Sequence, residues 1–215
     1  ADTPVLTEES PRLLDVCNDQ AYLSTDEYAL AKARCEDVLT KGAWNNWTIV
    51  RPGITYDGSG RFQLGTLEAG TWLLRALRGL DVMFPQEMLD KVTTLSWGGD
   101  VARMIAGLIG NPVAFGEIYL AATSEHLTWG EVADLYRKET GLNLFLCDVD
   151  SYEKAVGGHY QIWCDRMYDR RISNKKIMTT CNLSQKEITP IRERLVSELS
   201  CFLSSGKTLR GDISP

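Results

Sequence analysis

A tyrosine and a lysine four residues apart carry the clearest chemistry in the sequence. Tyr28 and Lys32 lie in the stretch DEYALAKARCEDVL, whose composition favours a helix. Side chains four residues apart on a helix are neighbours, about 5 to 6 Å apart at Cβ. The positive charge of Lys32 favours the phenolate, so it is expected to lower the pKa of Tyr28 from its ordinary value of about 10. The pair can then act as a general acid or base near neutral pH.

The same spacing also arises by chance, because the chain has eight tyrosines, so the rest of the sequence must decide what the pair means. With 215 residues, of which 44% are hydrophobic, the chain can form one large domain or two small ones. A net charge of -6 argues against a general attraction to nucleic acid or to anionic membranes. No apolar run reaches the roughly 20 residues that span a bilayer, so no membrane partner is expected.

Cysteine and histidine usage gives no indication of a metal site. The six cysteines form no C-x-x-C pair, and the chain has only two histidines, His126 and His159. Neither histidine has an acidic or cysteine partner at metal-ligand spacing, so neither is expected to bind metal. The scattered cysteines do not resemble a disulfide framework, and they favour a reducing, cytoplasmic location.

Alternating strands and helices are predicted around the Tyr28–Lys32 helix. That helix is expected to be capped by Ser24 or Thr25 and to stop at Gly42. A capping box of Thr128 and Glu131 opens another helix. The other predicted elements are strands at 47–52, 92–97, 116–122 and 142–149, helices at 69–80 and 184–204, a helix over 101–110 capped by Asp100, a loop at 53–65 and an irregular segment around Phe84 and Pro85. This alternation indicates an α/β fold with a parallel sheet.

Two arginines are candidates for binding an anionic substrate. Arg61 lies in the glycine-rich loop, and Arg166 lies in the basic run IWCDRMYDRRISNKK. Because Asp165 and Asp169 partly neutralise this run, three interpretations stay open. It can be a solvated, salt-bridged face, a grip for a diphosphate, or a site for single-stranded RNA, for which the acidic chain gives little other support.

Several short segments follow one another in an order and spacing that are typical of one family. They are PVLTEESP, YALAKARCEDVL, WTIVRPGITY, LSWGGDVARMI and GEIYLAATSEHLTWGEVADL, followed by RISNKKI near the C-terminus. In these segments the chain resembles the extended short-chain dehydrogenase/reductase superfamily, which is the NAD-dependent epimerase/dehydratase family. No G-x-G-x-x-G turn is present, because GSGRFQLG at 58–65 lacks the third glycine. The chain therefore resembles the C-terminal portion of the family, without its glycine-rich N-terminal half.

The resemblance implies a role for each site residue. Tyr28 is expected to transfer the proton of a substrate hydroxyl or carbonyl, and Lys32 to lower its pKa and hold the nicotinamide ribose. Pro52, Gly53 and Ile54 are expected to line the nicotinamide. The implied activity is that of an NAD(P)-dependent oxidoreductase, epimerase or dehydratase, with NAD or NADP as cofactor and a sugar nucleotide or similar polar substrate. The alternative is a non-catalytic member that binds a nucleotide or RNA as a regulatory protein.

The resemblance also implies an architecture and an assembly. Residues 1–57 and 92–122 are expected to form the remaining part of a Rossmann-type, doubly wound parallel sheet, and residues 58–91 and 123–215 a smaller α/β substrate-binding region. A missing N-terminal half is expected to precede the chain, which by itself should aggregate and fail to bind the dinucleotide. A homodimer is expected through the outward face of the Tyr28–Lys32 helix, with Ala29, Ala33 and Val38.

Overall fold

The computed structural model describes residues 4–209, in which strands and helices alternate. The α/β class is therefore confirmed. The helices are α1 Leu13–Val16, α2 Gln20–Leu23, α3 Tyr28–Thr40, α4 Ala69–Leu77, α5 Gly98–Leu108, α6 Trp129–Thr140, α7 Val149–Val156, α8 His159–Gln161, α9 Lys175–Thr180 and α10 Ile191–Ser204, with a π-helical turn at Ile162–Arg166 and 3-10 turns at Gln86–Met88, Pro112–Ala114 and Gln185–Glu187. The strands are β1 Thr48–Pro52, β2 Ile54–Tyr56, β3 Val82–Pro85, β4 Val92–Thr93, β5 Leu95–Trp97, β6 Glu117–Ala121, β7 Leu127–Thr128 and β8 Leu144–Cys147.

The strands pair in twos, and three of the four pairs are parallel. Strand β1 runs parallel to β6, from Thr48 opposite Glu117 to Pro52 opposite Ala121. Strands β2 and β5 are parallel, as are β3 and β8, whereas β4 and β7 are antiparallel. Within residues 4–209, no strand pairs with the other edge of β1. The carboxyl ends of β1 and β6 therefore meet at one edge, beside the start of β2.

Helix α3 begins later than the sequence patterns predict. The prediction of a cap at Ser24 or Thr25 is wrong, because the carboxylate of Glu27 caps the helix by accepting the N–H of Ala29 at 2.8 Å. Ser24 instead ends α2, where its hydroxyl donates to the carbonyl of Ala21. Ser24 and Thr25, which resemble an N-cap in the sequence, thus bond to carbonyls of the preceding helix α2. Tyr28 is therefore the first residue of α3.

Two segments without a strand pattern form strands. Residues 54–56, predicted as loop, form β2, and Phe84 with Pro85, predicted as irregular, lies in β3. Each strand is short and gains its hydrogen bonds from a partner distant in sequence, β5 for β2 and β8 for β3. Because a three- or four-residue strand has too few positions to show a period, local sequence could not reveal it.

Helix α5 also starts differently from its prediction. Asp100 is the third residue of the helix rather than its cap, and its buried Oδ2 accepts the N–H of Thr189 at 2.9 Å. Gly98 and Gly99 are the first two residues of the helix, directly after β5 ends at Trp97. A Cβ at Gly99 would lie 2.4 Å from Cη2 of Trp97, so the Trp97 ring would have to move for any other residue to stand there. By contrast, the capping box of Thr128 and Glu131 is confirmed, with both of its hydrogen bonds present.

The buried apolar residues form two clusters. The larger one is built on α4, α6 and α10, and in it the ring of Trp72 stacks on Tyr136 with centroids 4.3 Å apart. The smaller one joins α5 and β6 to Ile177 and Met178 of α9. The C-terminal segment therefore contributes to both clusters. The division into 1–57 with 92–122 and 58–91 with 123–215 stays a prediction, and its residues 1–3 and 210–215 lie outside the described part.

Candidate active site

Tyr28 stands where two adjoining depressions meet. The first, here called the Tyr28 cleft, has a volume of about 750 Å³, and the second, the α3–β1 groove, has about 650 Å³. Tyr28 is 73% exposed and lines both of them, together with Ala29 and Pro52. Tyr28 is the first residue of α3 and borders both spaces. The groove itself runs along β1 and the adjacent face of α3.

Lys32 lies beside Tyr28, as the four-residue spacing predicts. Its Nζ is 5.4 Å from the centroid of the Tyr28 ring, and the side chain lines the α3–β1 groove. Among residues 4–209 this ammonium makes no ion pair. The charge of Lys32 is therefore available to a bound molecule that also contacts Tyr28. The catalytic roles of the two residues stay predictions.

Pro52 ends β1, Gly53 links it to β2 and Ile54 begins β2, and all three line the Tyr28 cleft. The N–H of Gly53 donates to the carbonyl of Ala121 at 3.3 Å, which holds the link against the end of β6. The link therefore lies at the same edge as Tyr28, formed by main chain and apolar side chains. The structure brings these three residues together with Tyr28, while their contact with a cofactor stays a prediction.

Arg166 also lines the Tyr28 cleft, although it is more than 130 residues from Tyr28 in sequence. The residue is 7% exposed, and its Nε donates to the carbonyl of Gly65 at 2.9 Å. It also forms an ion pair with Asp165. Burial lowers the pKa of Arg166 to about 10, with a further contribution from the charge of Arg170, so the group remains charged at neutral pH. The cleft thus contains a fixed cation whose charge is partly offset by the carboxylate of Asp165.

The other basic residues named from the sequence do not join the cleft as free cations. Arg61 is exposed and lines neither the cleft nor the groove. The side chains of Arg170, Arg171 and Lys176 each pair with a carboxylate at 2.7 Å, namely Asp165, Asp169 and Glu117 respectively. These members of the basic run are therefore salt-bridged, and Arg166, which pairs with Asp165, differs from them in being buried.

An aromatic wall of the cleft was not recognisable from the sequence. The ring of Tyr160 lies 4.6 Å from that of Tyr22, and its other neighbour is His159 at 5.0 Å. Tyr22 is buried, its hydroxyl lies 3.5 Å from Oε2 of Glu27, and burial raises its pKa to about 12. These residues come from segments that lie more than 100 positions apart, and no local signal joins them. Cys164, in the π-helical turn, also lines the cleft.

Thr94 lines the cleft and forms a hydrogen bond with His126, which lies behind it. The hydroxyl of Thr94 donates to the carbonyl of Arg170 at 2.6 Å, so it accepts from Nδ1 of His126 at 3.0 Å. Burial lowers the pKa of His126, and the charge of Arg171 acts in the same direction. His126 is therefore held in its neutral form by its surroundings.

No membrane helix or metal cluster is found in the described part of the chain. None of its helices is long and apolar enough to cross a bilayer. Across residues 4–209, no three histidine, cysteine or acidic side chains converge in the manner of metal ligands.

No protein-family model matches the sequence, and no curated protein matches it. Solved structures match clearly. A dTDP-glucose 4,6-dehydratase from Bacillus anthracis in complex with NAD is 17% identical, with a TM-score of 0.69 over 95% of this chain. A short-chain dehydrogenase/reductase superfamily protein from Agrobacterium tumefaciens with bound NAD is 14% identical, with a TM-score of 0.63 over 94% of this chain. A UDP-glucose 4-epimerase from Thermus thermophilus in complex with NAD is 20% identical, with a TM-score of 0.56 over 82% of this chain.

The chain has the extended short-chain dehydrogenase fold. The resemblance drawn from the sequence motifs is therefore confirmed at the level of the fold, including its Rossmann-type α/β class. The chain spans only part of these relatives, namely 58% of the dehydratase, 62% of the Agrobacterium protein and 53% of the epimerase. Because the sequence identities are 20% or lower, the structural similarity shows the fold of this chain and does not show which reaction it catalyses.

Proposed function

We propose that this chain carries the Tyr28–Lys32 part of an NAD(P)-dependent oxidoreductase of the epimerase or dehydratase type, acting on a hydroxyl or carbonyl of a sugar nucleotide or similar polar substrate. The observation that carries the proposal is the exposed phenol of Tyr28 at the meeting point of two depressions, with Nζ of Lys32 5.4 Å from its ring. A phenol beside a cation is suited to proton transfer near neutral pH.

The residues around Tyr28, in the groove and in the cleft, fit a nicotinamide nucleotide. The ammonium of Lys32, which has no ion-pair partner in the described residues, can hold ribose hydroxyls. Pro52, Gly53 and Ile54 offer the nicotinamide ring an apolar edge beside Tyr28. When bound, NAD or NADP supplies or accepts hydride. Tyr28 then gives or takes the proton at the substrate oxygen, and Lys32 holds the phenol and the ribose in one arrangement.

A sugar nucleotide is the favoured substrate class. Arg166 provides the Tyr28 cleft with a buried cation that can contact a diphosphate. Two structural relatives are named for dTDP-glucose and UDP-glucose reactions, which supports a substrate of this class. Arg61 lies outside the cleft, so its proposed contact would require a substrate that extends beyond the cleft.

We also propose that a preceding segment with a glycine-rich phosphate turn completes the dinucleotide site. In residues 4–209 one edge of β1 has no strand partner, and the buried Nε1 of Trp47, the residue before β1, has no acceptor. Parallel strands are normally covered and paired on both sides, so this edge suits further strands. Calorimetry should detect NAD(P) binding to a longer chain with that segment and not to residues 1–215 alone, and equal binding by both would contradict the proposal.

The proposed protein is a cytoplasmic homodimer. All six cysteines are unpaired in the structure, which supports a reducing location. Val38 is 76% exposed on α3 and Ala29 is exposed as well, which supports a helix contact with a second copy. Ala33, expected on this outward face, is instead buried at 5% exposure, because the inner face of α3 packs on the chain itself.

A second candidate function is binding of a nucleotide or RNA without turnover. The partly exposed ring of Tyr160, which packs on the buried Tyr22, favours it, because a base can stack on such a ring without any chemistry. Hydride transfer separates the two candidates, since a binding protein would show none with any substrate.

The decisive experiment removes the phenol hydroxyl in the protein as encoded by its gene. Tyr28→Phe should lower turnover about 10²-fold or more and leave NAD(P) affinity nearly unchanged, because the hydroxyl acts only in proton transfer. Tyr119→Phe is the matched control, since that ring is buried in the smaller cluster away from the cleft. Turnover should survive in the control, and survival in Tyr28→Phe as well would remove the proposed role.

A further inference from the structure

Glu27 places a carboxylate beside Tyr28 at the wall of the Tyr28 cleft. The two residues are consecutive in the chain, so their Cα atoms are about 3.8 Å apart, and both line the cleft. One carboxylate oxygen of Glu27, Oε2, accepts the N–H of Ala29 at 2.8 Å and caps α3. The same oxygen accepts the hydroxyl proton of the buried Tyr22 at 3.5 Å. Two donors therefore hold this carboxylate in place.

The other oxygen of Glu27 is left for a ligand. In residues 4–209, Oε1 has no hydrogen-bond partner, and no lysine, arginine or histidine forms an ion pair with the carboxylate. The residue is half-buried, so salt and water screen its charge less than that of an exposed carboxylate. A carboxylate only accepts hydrogen bonds. A ligand in the cleft can therefore supply the donor that Oε1 lacks.

The negative charge of Glu27 acts on other groups of the cleft wall. Burial, and then the charge of Glu27, raise the pKa of Tyr22 to about 12. Burial raises the pKa of Cys164, and the charges of Cys17 and Glu27 act in the same direction. Tyr22 and Cys164 both line the cleft and come from distant segments of the chain. The electrostatic effect of Glu27 therefore reaches two segments of the wall.

The cations around the cleft do not pair with Glu27. Arg166 and Arg170 line the cleft, and both are paired with the carboxylate of Asp165. Lys32 lines the α3–β1 groove and not the cleft. The positive end of α3 offsets only part of the charge, because a helix macrodipole amounts to roughly half an elementary charge at its N-terminus. The wall at Glu27 therefore stays negative.

We propose that Glu27 accepts a hydrogen bond from a hydroxyl or ammonium group of the sugar and makes the Tyr28 cleft select neutral and amino sugars over sugars that carry a carboxylate. The proposal rests on the proposed function, which puts the sugar of a nucleotide sugar beside Tyr28. A hydroxyl that donates to a carboxylate forms a charge-assisted hydrogen bond, roughly twice as strong as a neutral one. A sugar carboxylate at the same place supplies no donor and brings a like charge, so it is rejected.

The first test compares nucleotide sugars on the unmodified protein as encoded by its gene, so it does not depend on the folding of a variant. The probes are UDP-glucosamine, UDP-glucose and UDP-glucuronate, whose sugars are positive, neutral and negative, together with their dTDP-linked counterparts. By calorimetry, the glucose compound should bind at least about tenfold more tightly than the glucuronate, and the glucosamine compound at least as tightly as the glucose compound. Equal affinity for glucose and glucuronate compounds, or no binding of any probe, would overturn the proposal.

Glu27→Gln tests whether the preference comes from this residue. The amide oxygen of glutamine can still accept the N–H of Ala29, so the cap of α3 remains, while an amide NH₂ replaces the free oxygen. The ratio of the glucose affinity to the glucuronate affinity should fall about tenfold. UDP or dTDP alone, which has no sugar beyond its ribose or deoxyribose, should bind as it does to the unmodified protein. An equal loss of affinity for the nucleotide and for both nucleotide sugars would show that Glu27 only maintains the structure.

Asp26→Asn is the matched control, because it removes the same charge one position earlier. Asp26 is fully exposed, pairs with Arg34 at 3.4 Å and lines neither the cleft nor the groove. Its ratio of glucose to glucuronate affinity should equal that of the unmodified protein. The same change of ratio in both variants would assign the preference to the general charge of the region, and it would overturn a contact at Glu27.

Binding measurements keep this proposal separable from the proposed function. None of them needs hydride transfer, so Tyr28→Phe should keep the preference for the glucose compound even as it loses turnover. Unchanged turnover in Tyr28→Phe, with the preference intact, would remove the role of Tyr28 alone. Turnover of a nucleotide sugar without any discrimination against the glucuronate would instead remove the role of Glu27 and leave the proposed function standing.

Discussion

Arg51 on β1 and Glu36 on α3 form a two-point ion pair, with Nε 2.7 Å from Oε1 and Nη2 2.6 Å from Oε2. Burial acts to raise the pKa of Glu36, but the hydrogen bonds and charges of Arg51 and Arg12 outweigh it and leave this pKa below its ordinary value. The pair ties the helix that carries Tyr28 and Lys32 to the strand that ends at Pro52. The relative position of the two catalytic candidates and the link after β1 therefore depends on it.

Loss of this pair should destabilise the protein more than loss of an exposed pair. Arg51→Met leaves a mostly buried carboxylate with only Arg12, so the free energy of unfolding should fall by about 2 kcal/mol. Lys41→Met, which breaks an exposed pair with Asp37, should cost about 0.5 kcal/mol or less. Urea denaturation measures both, and equal losses would contradict the anchoring role of Arg51.

Lys32→Met should damage two properties at once. Turnover should fall, because the phenol of Tyr28 loses its neighbouring cation, and NAD(P) should bind more weakly, because the ribose loses its ammonium contact. We expect each to fall by about tenfold or more, measured by steady-state kinetics and by calorimetry. Lys41→Met, at the far end of the same helix, is the control. A loss of turnover with unchanged cofactor affinity would remove the ribose role from Lys32.

Stability should depend on pH through His126. Burial lowers its pKa below the ordinary value of about 6.5, so the unfolded chain takes up the proton at a higher pH than the folded one. The stability that neutral His126 provides is thus fully present above about pH 6.5 and is lost as the pH falls through the folded-state pKa. His126→Asn should flatten the fall in unfolding free energy between about pH 7 and pH 5. Identical slopes for the two proteins would rule out this contribution.

Gly65→Ala should be strongly destabilising. Gly65 has φ +59°, and a Cβ there would lie 2.8 Å from Cε2 of Phe84 in the larger cluster. Backbone strain and the clash together should cost about 2 to 4 kcal/mol. Gly79→Ala is a matched control, because Gly79 has φ +68° with nothing within 4 Å, so it should cost only about 1 kcal/mol. Thermal or urea denaturation compares them, and a cost at Gly65 no larger than at Gly79 would argue against close packing there.

The proposed dimer can be tested on the exposed face of α3. Val38→Arg should convert a homodimer into monomers at micromolar concentration, because it places charge in an apolar helix contact. Leu77→Arg, on the exposed side of α4, should leave the dimer intact. Light scattering reads the mass directly. A monomer before any substitution, or a dimer that survives Val38→Arg, would count against this interface.

The sequence by itself was sufficient for the features that depend on neighbouring residues. Helix α3, strands β1 and β6, and the capping box of Thr128 and Glu131 follow from local hydrophobic period, breakers and caps. The closeness of Tyr28 and Lys32 follows from one turn of helix. The order of the motifs indicated the fold, which the solved structures confirm.

Only the tertiary structure decided which distant segments share the cleft. Strands β2 and β3 exist because β5 and β8 supply their hydrogen bonds. Asp100 accepts a hydrogen bond from the N–H of Thr189, 89 residues away, instead of capping its own helix. The meeting of Tyr28, Arg166 and His159 in one cleft has the same origin. A local pattern records the helix or strand that a segment prefers, whereas long-range contacts depend on how all segments pack together, and no single segment encodes that packing.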